Sequence, residues 1–106
     1  VENLNAEEDI HENWKIKHLT ITVTGNMFHS EWYCGYVKIP QGHPFHGKHY
    51  DEINHYISVH GELTYSSEEE DGYWIGFDTN HYYSGKWTKE MAEEETKNLL
   101  RQIEDF

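Results

Sequence analysis

The segment KHLTITVTG, residues 17 to 25, alternates Leu19, Ile21 and Val23 with Thr20, Thr22 and Thr24. Side chains two apart on a strand share a face, so this period of two fixes a half-buried β-strand and sets what kind of domain the chain can build. Gly25 and Asn26 close the run with turn chemistry. A second run, EWYCGYVKIP over residues 31 to 40, favours strand throughout, is interrupted by Gly35 and is stopped by Pro40. The two runs are expected to form a hairpin through GNMFHS.

HYISVHG and ELTYS read as further strand pieces, with Ile57 and Val59 facing one way and Tyr56, Ser58 and His60 the other. SSEEEDG, residues 66 to 72, reads as a solvated turn, and YWIGFDTN, residues 73 to 80, as the last and most apolar strand. Between Gln41 and Asn54, Gly42, Pro44 and Gly47 among polar residues predict an ordered loop without regular period. TKEMAEEETKNLLRQIEDF reads as a helix with Thr88 as N-cap and acids in its first turns. Ala92, Thr96, Leu99, Ile103 and Phe106 form its apolar stripe, broadened by Met91 and Leu100, and Glu93 to Lys97 is a well-oriented i,i+4 pair. Residues 1–13 allow either a short helix, capped by Asn5 with Ala6, Ile10 and Trp14 on one face, or a frayed arm. About four strands followed by one helix predict an α+β domain: a small, mainly antiparallel sheet with the C-terminal helix packed on one face. At 106 residues, without an internal repeat, the chain 1–106 is expected to form one domain.

Composition adds constraints. Only 36% of residues are hydrophobic but 15% are aromatic, so large rings are expected to supply much of the core. Twenty acidic against eight basic side chains give a formal charge of −12, which repels phosphate backbones and argues against direct nucleic-acid binding. A basic protein surface would be attracted instead. The single Cys34, within WYCGYV, cannot form an internal disulfide and reads as a buried thiol in a reducing compartment. No apolar run approaches the ~20 residues of a membrane helix, and no basic n-region precedes an apolar one. The chain begins at Val1 rather than Met, which leaves room for a removed start residue.

Five of the nine histidines lie in GHPFHGKHYDEINHYISVHG, residues 42 to 61. His43, His46 and His49 are spaced three apart, but Pro44 and Gly47 argue against the helix that would align them, so a metal would have to be wrapped by a loop with Asp51 and Glu52 near it; exposed loop histidines are the alternative. His60, Asp78 and His81 fall at strand ends. If residues 58–60 pair with 73–77, these edges would meet the GHP loop, giving a carboxylate-oriented general base or a divalent-metal set; strand-end capping is the plainer role. Ser58, Ser66, Ser67 and Ser84 sit in no nucleophile elbow. GHPFHGK has a Gly-x4-Gly-Lys spacing, but His49 replaces the Mg²⁺-binding hydroxyl and Pro44 removes an amide, so it is no phosphate loop. Lys48 could still hold an anion while Trp32, Tyr50, Tyr56 or Trp74 stacks on a base, against plain core packing for the same rings.

The runs CGYVKIPQGHPFHGKHYDEI, VHGELTYS and YWIGFDTNH resemble a family of small uncharacterised bacteriophage and prophage proteins, whose pattern reads approximately CGYVxxPxGHPxYGKxYDDI, VHGGLT and WWIGFDCAH. The likeness spans residues 34 to 81. Gly42, His43, Pro44, Gly47, Lys48, Tyr50, Asp51, His60, Gly61, Leu63, Thr64, Trp74, Gly76, Phe77, Asp78 and His81 match it, whereas His46, His49 and His55 lie outside it. The resemblance thus favours His43, His60 and His81 over the regular spacing of the loop histidines. Glu62 stands where it implies Gly, and the Thr79–Gly85 segment TNHYYSG stands where it implies CAHAGD, so a site built at either place could be altered.

Three functions follow as expectations. The first is a phage-encoded accessory protein, not an enzyme, that sequesters a host ligand such as a nucleotide immune signal in counter-defence. Its ligand-binding candidates are His43, Lys48, Tyr50, Asp51, His60, Trp74, Asp78 and His81. It would need no cofactor, form a homo-oligomer and act in the cytoplasm of the bacterial host, without membrane or direct nucleic-acid contact. The second is a metal-dependent hydrolase using His43, His60, Asp78 and His81, with His60, Asp78 and His81 catalytic. The third is an acidic inhibitor docking on a basic nucleic-acid-binding enzyme of the host.

Overall fold

The computed structural model describes residues 2–23, 28–81 and 84–106. Five strands, β1 (Glu2–Ile10), β2 (Trp14–Val23), β3 (Phe28–Ile39), β4 (Tyr65–Glu69) and β5 (Gly72–Asp78), form one antiparallel sheet in the order β1-β2-β3-β5-β4. A short helix α1 (Tyr50–Ile53) lies in the long connection, and the chain ends in α2 (Lys89–Asp105), packed on β2 and β3. This is the expected α+β arrangement with one strand more. No helix among the described residues is long and apolar enough to cross a membrane.

The additional strand is β1, in the segment that suggested a helix or an arm. Its even positions Leu4, Ala6, Glu8 and Ile10 pair with Ile21, Leu19, Lys17 and Lys15 of β2. An alternating pattern lay beneath the i,i+4 spacing of Ala6, Ile10 and Trp14, and cross-strand partners outweighed helix propensity. Glu8 lies 3.6 Å from Lys17 in one such pair. The β2–β3 hairpin is present with Leu19 opposite Trp32, while Gly25 and Asn26 lie outside the described residues.

Two further expectations are corrected. HYISVHG is not a strand: Gln102 of α2 brackets Ser58, its Oε1 accepting the Ser58 N–H at 2.9 Å and its Nε2 donating to the Ser58 carbonyl at 2.8 Å. A helix side chain thus satisfies the amide groups that a neighbouring strand would have satisfied. The acidic run expected as a turn instead supplies β4, and the turn narrows to Glu70 and Asp71. An edge strand tolerates these acids because one side remains open to water, and Glu69 is compensated by Lys15 at 3.0 Å.

One face of the sheet carries the core. Val37, Ile39, Ile75 and Phe77 meet Leu99 and Ile103 of α2, and the 40–64 connection adds Phe45, Ile53, Val59 and Leu63. These residues are mostly aliphatic, so the core is less aromatic than composition suggested. In α2, Ala92, Thr96, Leu99 and Ile103 are buried as their spacing predicts, while Phe106 is the C-cap and rests against Phe45 at 4.3 Å. Thr88 is the N-cap, its hydroxyl accepting the Met91 N–H at 3.2 Å.

The helix comes closest to the sheet at Gly35, where a Cβ would collide with Thr96 Oγ1 and the Phe77 ring. Thr96 donates its hydroxyl to the Ala92 carbonyl at 2.7 Å, so its oxygen is held in place. Gly35→Ala should therefore cost about 1–3 kcal/mol of stability, as overpacking of a tight interior does. Urea unfolding should show the lowered midpoint, with substitution of exposed Gly42 excluded as a control because its φ of +86° adds strain of another origin.

Candidate functional site

The sequence candidates separate into two groups at opposite ends of α2. In the GHP loop, turned by Gly42 and Gly47 at φ +86° and +82°, His43 uses both ring nitrogens structurally. Nδ1 accepts the Phe45 N–H at 3.1 Å, which leaves the proton on Nε2 to be donated to the Ile103 carbonyl at 2.8 Å. His43 therefore ties the loop to the last turn of α2, where the Ile103 carbonyl also accepts the Phe106 N–H of the cap at 3.3 Å.

The neighbouring candidates also act locally. Lys48 lies 3.5 Å from Glu52, one turn on, and its carbonyl accepts the Tyr73 hydroxyl. Tyr50 packs against the core, and its N–H donates to Ser66 Oγ at 3.1 Å. Asp51 is exposed, and its N–H donates to Nδ1 of His49, the N-cap of α1. Trp74 is 1% exposed and lies on the opposite face of the sheet, since Tyr73 beside it faces the core. Its indole N–H donates to Asp71 at 2.8 Å, with Lys15 over the ring at 4.3 Å and Lys38 at 5.3 Å. Trp74 and Lys48 thus do not enclose one ligand, and the aromatic stacking role expected for Trp74 falls to lysine stems and ammonium groups.

At the other end, His60, Asp78 and His81 do come together, although residues 58–60 do not pair with β5. The imidazole rings of His60 and His81 are 6.1 Å apart, and His81 Nε2 is 3.4 Å from Asp78 Oδ1. Asp78 accepts the Thr64 hydroxyl at 2.8 Å and the Asn80 N–H at 2.9 Å, so it fastens the 60–64 segment to the end of β5. His60 Nε2 is 2.8 Å from Ser84 Oγ, and its main-chain N–H donates to Glu95 Oε2 at 2.8 Å.

His43 cannot join this group. Its partner Ile103 lies eight residues beyond Glu95 on α2, about 12 Å at 1.5 Å per residue. Among the described residues no three His, Cys, Asp or Glu side chains are placed to hold one metal ion. The Ser84–His60 contact is one leg of a nucleophile–base pair, but Asp78 faces His81, and Glu95 is engaged by the His60 main chain. Burial pushes the Cys34 thiol up, and it pushes the Tyr36 hydroxyl up together with the adjacent Cys34, so both keep their protons.

The site around His60 is larger than the sequence candidates implied. An open groove of about 710 Å³ runs along α2, with Ser58, Val59 and His60 on one wall and Trp87, Glu90, Met91, Glu94, Glu95 and Asn98 on the other. His60 and Trp87 rings meet at 4.6 Å, and Met91 is 44% exposed. The α2 residues had a legible signal: 90, 91, 94, 95 and 98 form a second stripe of helical period beside the buried one, with Trp87 just before the Thr88 cap. Its carboxylates, thioether and indole suit a cationic group with an apolar stem, whereas a phosphate would face Glu90, Glu94 and Glu95.

No family model, no curated protein and no solved structure matches the chain.

Two substitutions test the structural roles assigned here. Removing the His43 ring leaves the Phe45 N–H and Ile103 carbonyl without their side-chain partner, so His43→Ala should cost about 1–3 kcal/mol in chemical denaturation, against less than about 0.5 kcal/mol for exposed His55→Ala. Glu62 has φ +64°, directly after Gly61 at φ +67°. Glu62→Gly should relieve about 1 kcal/mol of left-handed strain and raise the melting temperature by a few degrees.

Proposed function

We propose that this chain is a phage-type accessory protein that acts by binding rather than by catalysis, and that it docks a basic segment of a host protein in the groove beside α2. The observation that carries this reading is the groove's composition. Glu90, Glu94 and Glu95 line it together with Trp87, Met91 and His60. An Arg or Lys side chain entering there would lay its stem on Met91 and the indole and direct its charge to the carboxylates. The formal charge of −12 favours encounter with a basic partner.

The phage role rests on the likeness of residues 34 to 81 to the phage and prophage pattern. A nucleotide ligand draws less support, because Lys48 is paired with Glu52 and Trp74 is buried on the far face of the sheet. Catalysis by metal draws less still, since His43 is tied to Ile103 away from His60, Asp78 and His81.

Tryptophan fluorescence and calorimetry with a short Arg-rich peptide test the proposal. The peptide should bind, with affinity falling as salt rises and at least tenfold in Glu90→Lys or Glu94→Lys. Binding of cyclic or ADP-ribose-type nucleotides in its place, lost in Lys48→Ala, would overturn this reading in favour of nucleotide sequestration.

A further inference from the structure

Leu19 and Ile21, whose alternation marks β2 as half-buried, point away from α2. In the antiparallel register Ile16 lies opposite Gly35, the contact point of the helix, so Lys15, Lys17, Leu19 and Ile21 occupy the other face. The same face receives Leu4, Ala6 and Ile10 from β1, Trp32 and Tyr36 from β3, and Tyr65 from β4. Leu4 is 61% and Ile10 64% exposed, and Leu19, Ile21 and Trp32 are only partly buried. On the helix side the neighbouring positions Asn5, Thr20 and Glu31 are polar. The sheet is thus patterned for burial on a face that no described element covers.

We infer that this open face is the interface of a homodimer, with two copies packing sheet against sheet about a two-fold axis. Charge argues for a second copy. Charge on this face is met within each copy: its lysines are Lys15, Lys17 and Lys38, and each lies beside a carboxylate of its own chain, Lys38 at 3.9 Å from Asp71, so two copies can meet here without bringing unpaired lysines together. Lys15 is already paired with Glu69, and Lys17 with Glu8. The sheet edges are less suitable. The outer edge of β1 carries Glu7, Glu8 and Asp9, and that of the five-residue β4 carries Glu68 and Glu69, so edge-to-edge pairing of two copies would crowd carboxylates.

Area points the same way. Strands ~4.8 Å apart with ~3.3 Å per residue give this face roughly 600–700 Å² before side-chain relief is counted. Specific interfaces bury about 600–1,000 Å² per partner, so the face reaches the lower end of that range. Two such sheets would stack ~10 Å apart, with Leu4, Leu19, Ile21 and Trp32 of each copy interdigitating.

Sedimentation equilibrium of the whole chain should give twice its 12.7 kDa mass. Leu4→Lys and Ile10→Lys change side chains already exposed in the single chain, so each should weaken the dimer at least tenfold while the circular dichroism spectrum and melting of the separated chain persist. Thr20→Lys, on the other face of β2, should leave the dimer intact. Because the lysines of the face are paired within each copy and the contact is mainly apolar, dimerisation should change less with salt than docking in the acidic groove. A monomeric wild-type chain, a dimer that survives both Leu4→Lys and Ile10→Lys, or one lost only when the β1 edge acids are changed would overturn the inference.

Discussion

The close seat of α2 on β3 at Gly35 is the contact on which the rest of the structure depends. Without a Cβ there, Thr96 reaches the sheet and draws Leu99 and Ile103 down onto Val37, Ile39 and Ile75. The helix then becomes the scaffold for both irregular segments. Its last turn receives His43 at the Ile103 carbonyl, and its flank receives residues 58–60 through Gln102 and Glu95. Each attachment replaces a hydrogen bond that regular structure would have supplied, so the long connection can be ordered without belonging to the sheet.

That dependence explains how the histidine-rich stretch is divided. His43 and His60 lie in one histidine-rich stretch, yet they serve different parts of α2. His43 is held at its two nitrogens by Phe45 and Ile103. His60 stands at the mouth of the groove, against Ser84 and Trp87. Asp78 likewise has a building role, since Thr64 and Asn80 both donate to it. His60 opens onto the groove beside α2, whereas His43 borders a smaller cavity of about 250 Å³ with Leu100 and Ile103 at the other end of the helix.

Much of the fold was legible in local pattern. The alternation in β2, the aromatic run of β3 and the Thr88-capped stripe of α2 each specify their element without outside help. The parts that were not legible are those decided by a distant partner. β1 reads as a short helix or a frayed arm until Leu4, Ala6 and Glu8 find β2, and HYISVHG reads as a strand until Gln102 takes the Ser58 N–H and carbonyl. The site shows the same division. His60, Asp78 and His81 were visible as strand-end residues, but their association with Trp87 and the glutamates of α2 requires the helix to run back along the 58–60 segment. Periodicity showed the second stripe on α2 without showing what faced it.

Charge and apolar surface are segregated between the two sides of the molecule. The helix side exposes the acids of α2 and the groove, whereas the open sheet face pairs its lysines with carboxylates or lays them over Tyr36 and Trp74. If the open faces pair as inferred, a chain of high net charge would associate with itself on one side and remain repulsive to itself on the other. A dimer joined through the open faces would direct its two grooves outward. Each groove would then see the field of both chains, and a partner offering two basic segments could be held at both with an avidity that neither site provides alone.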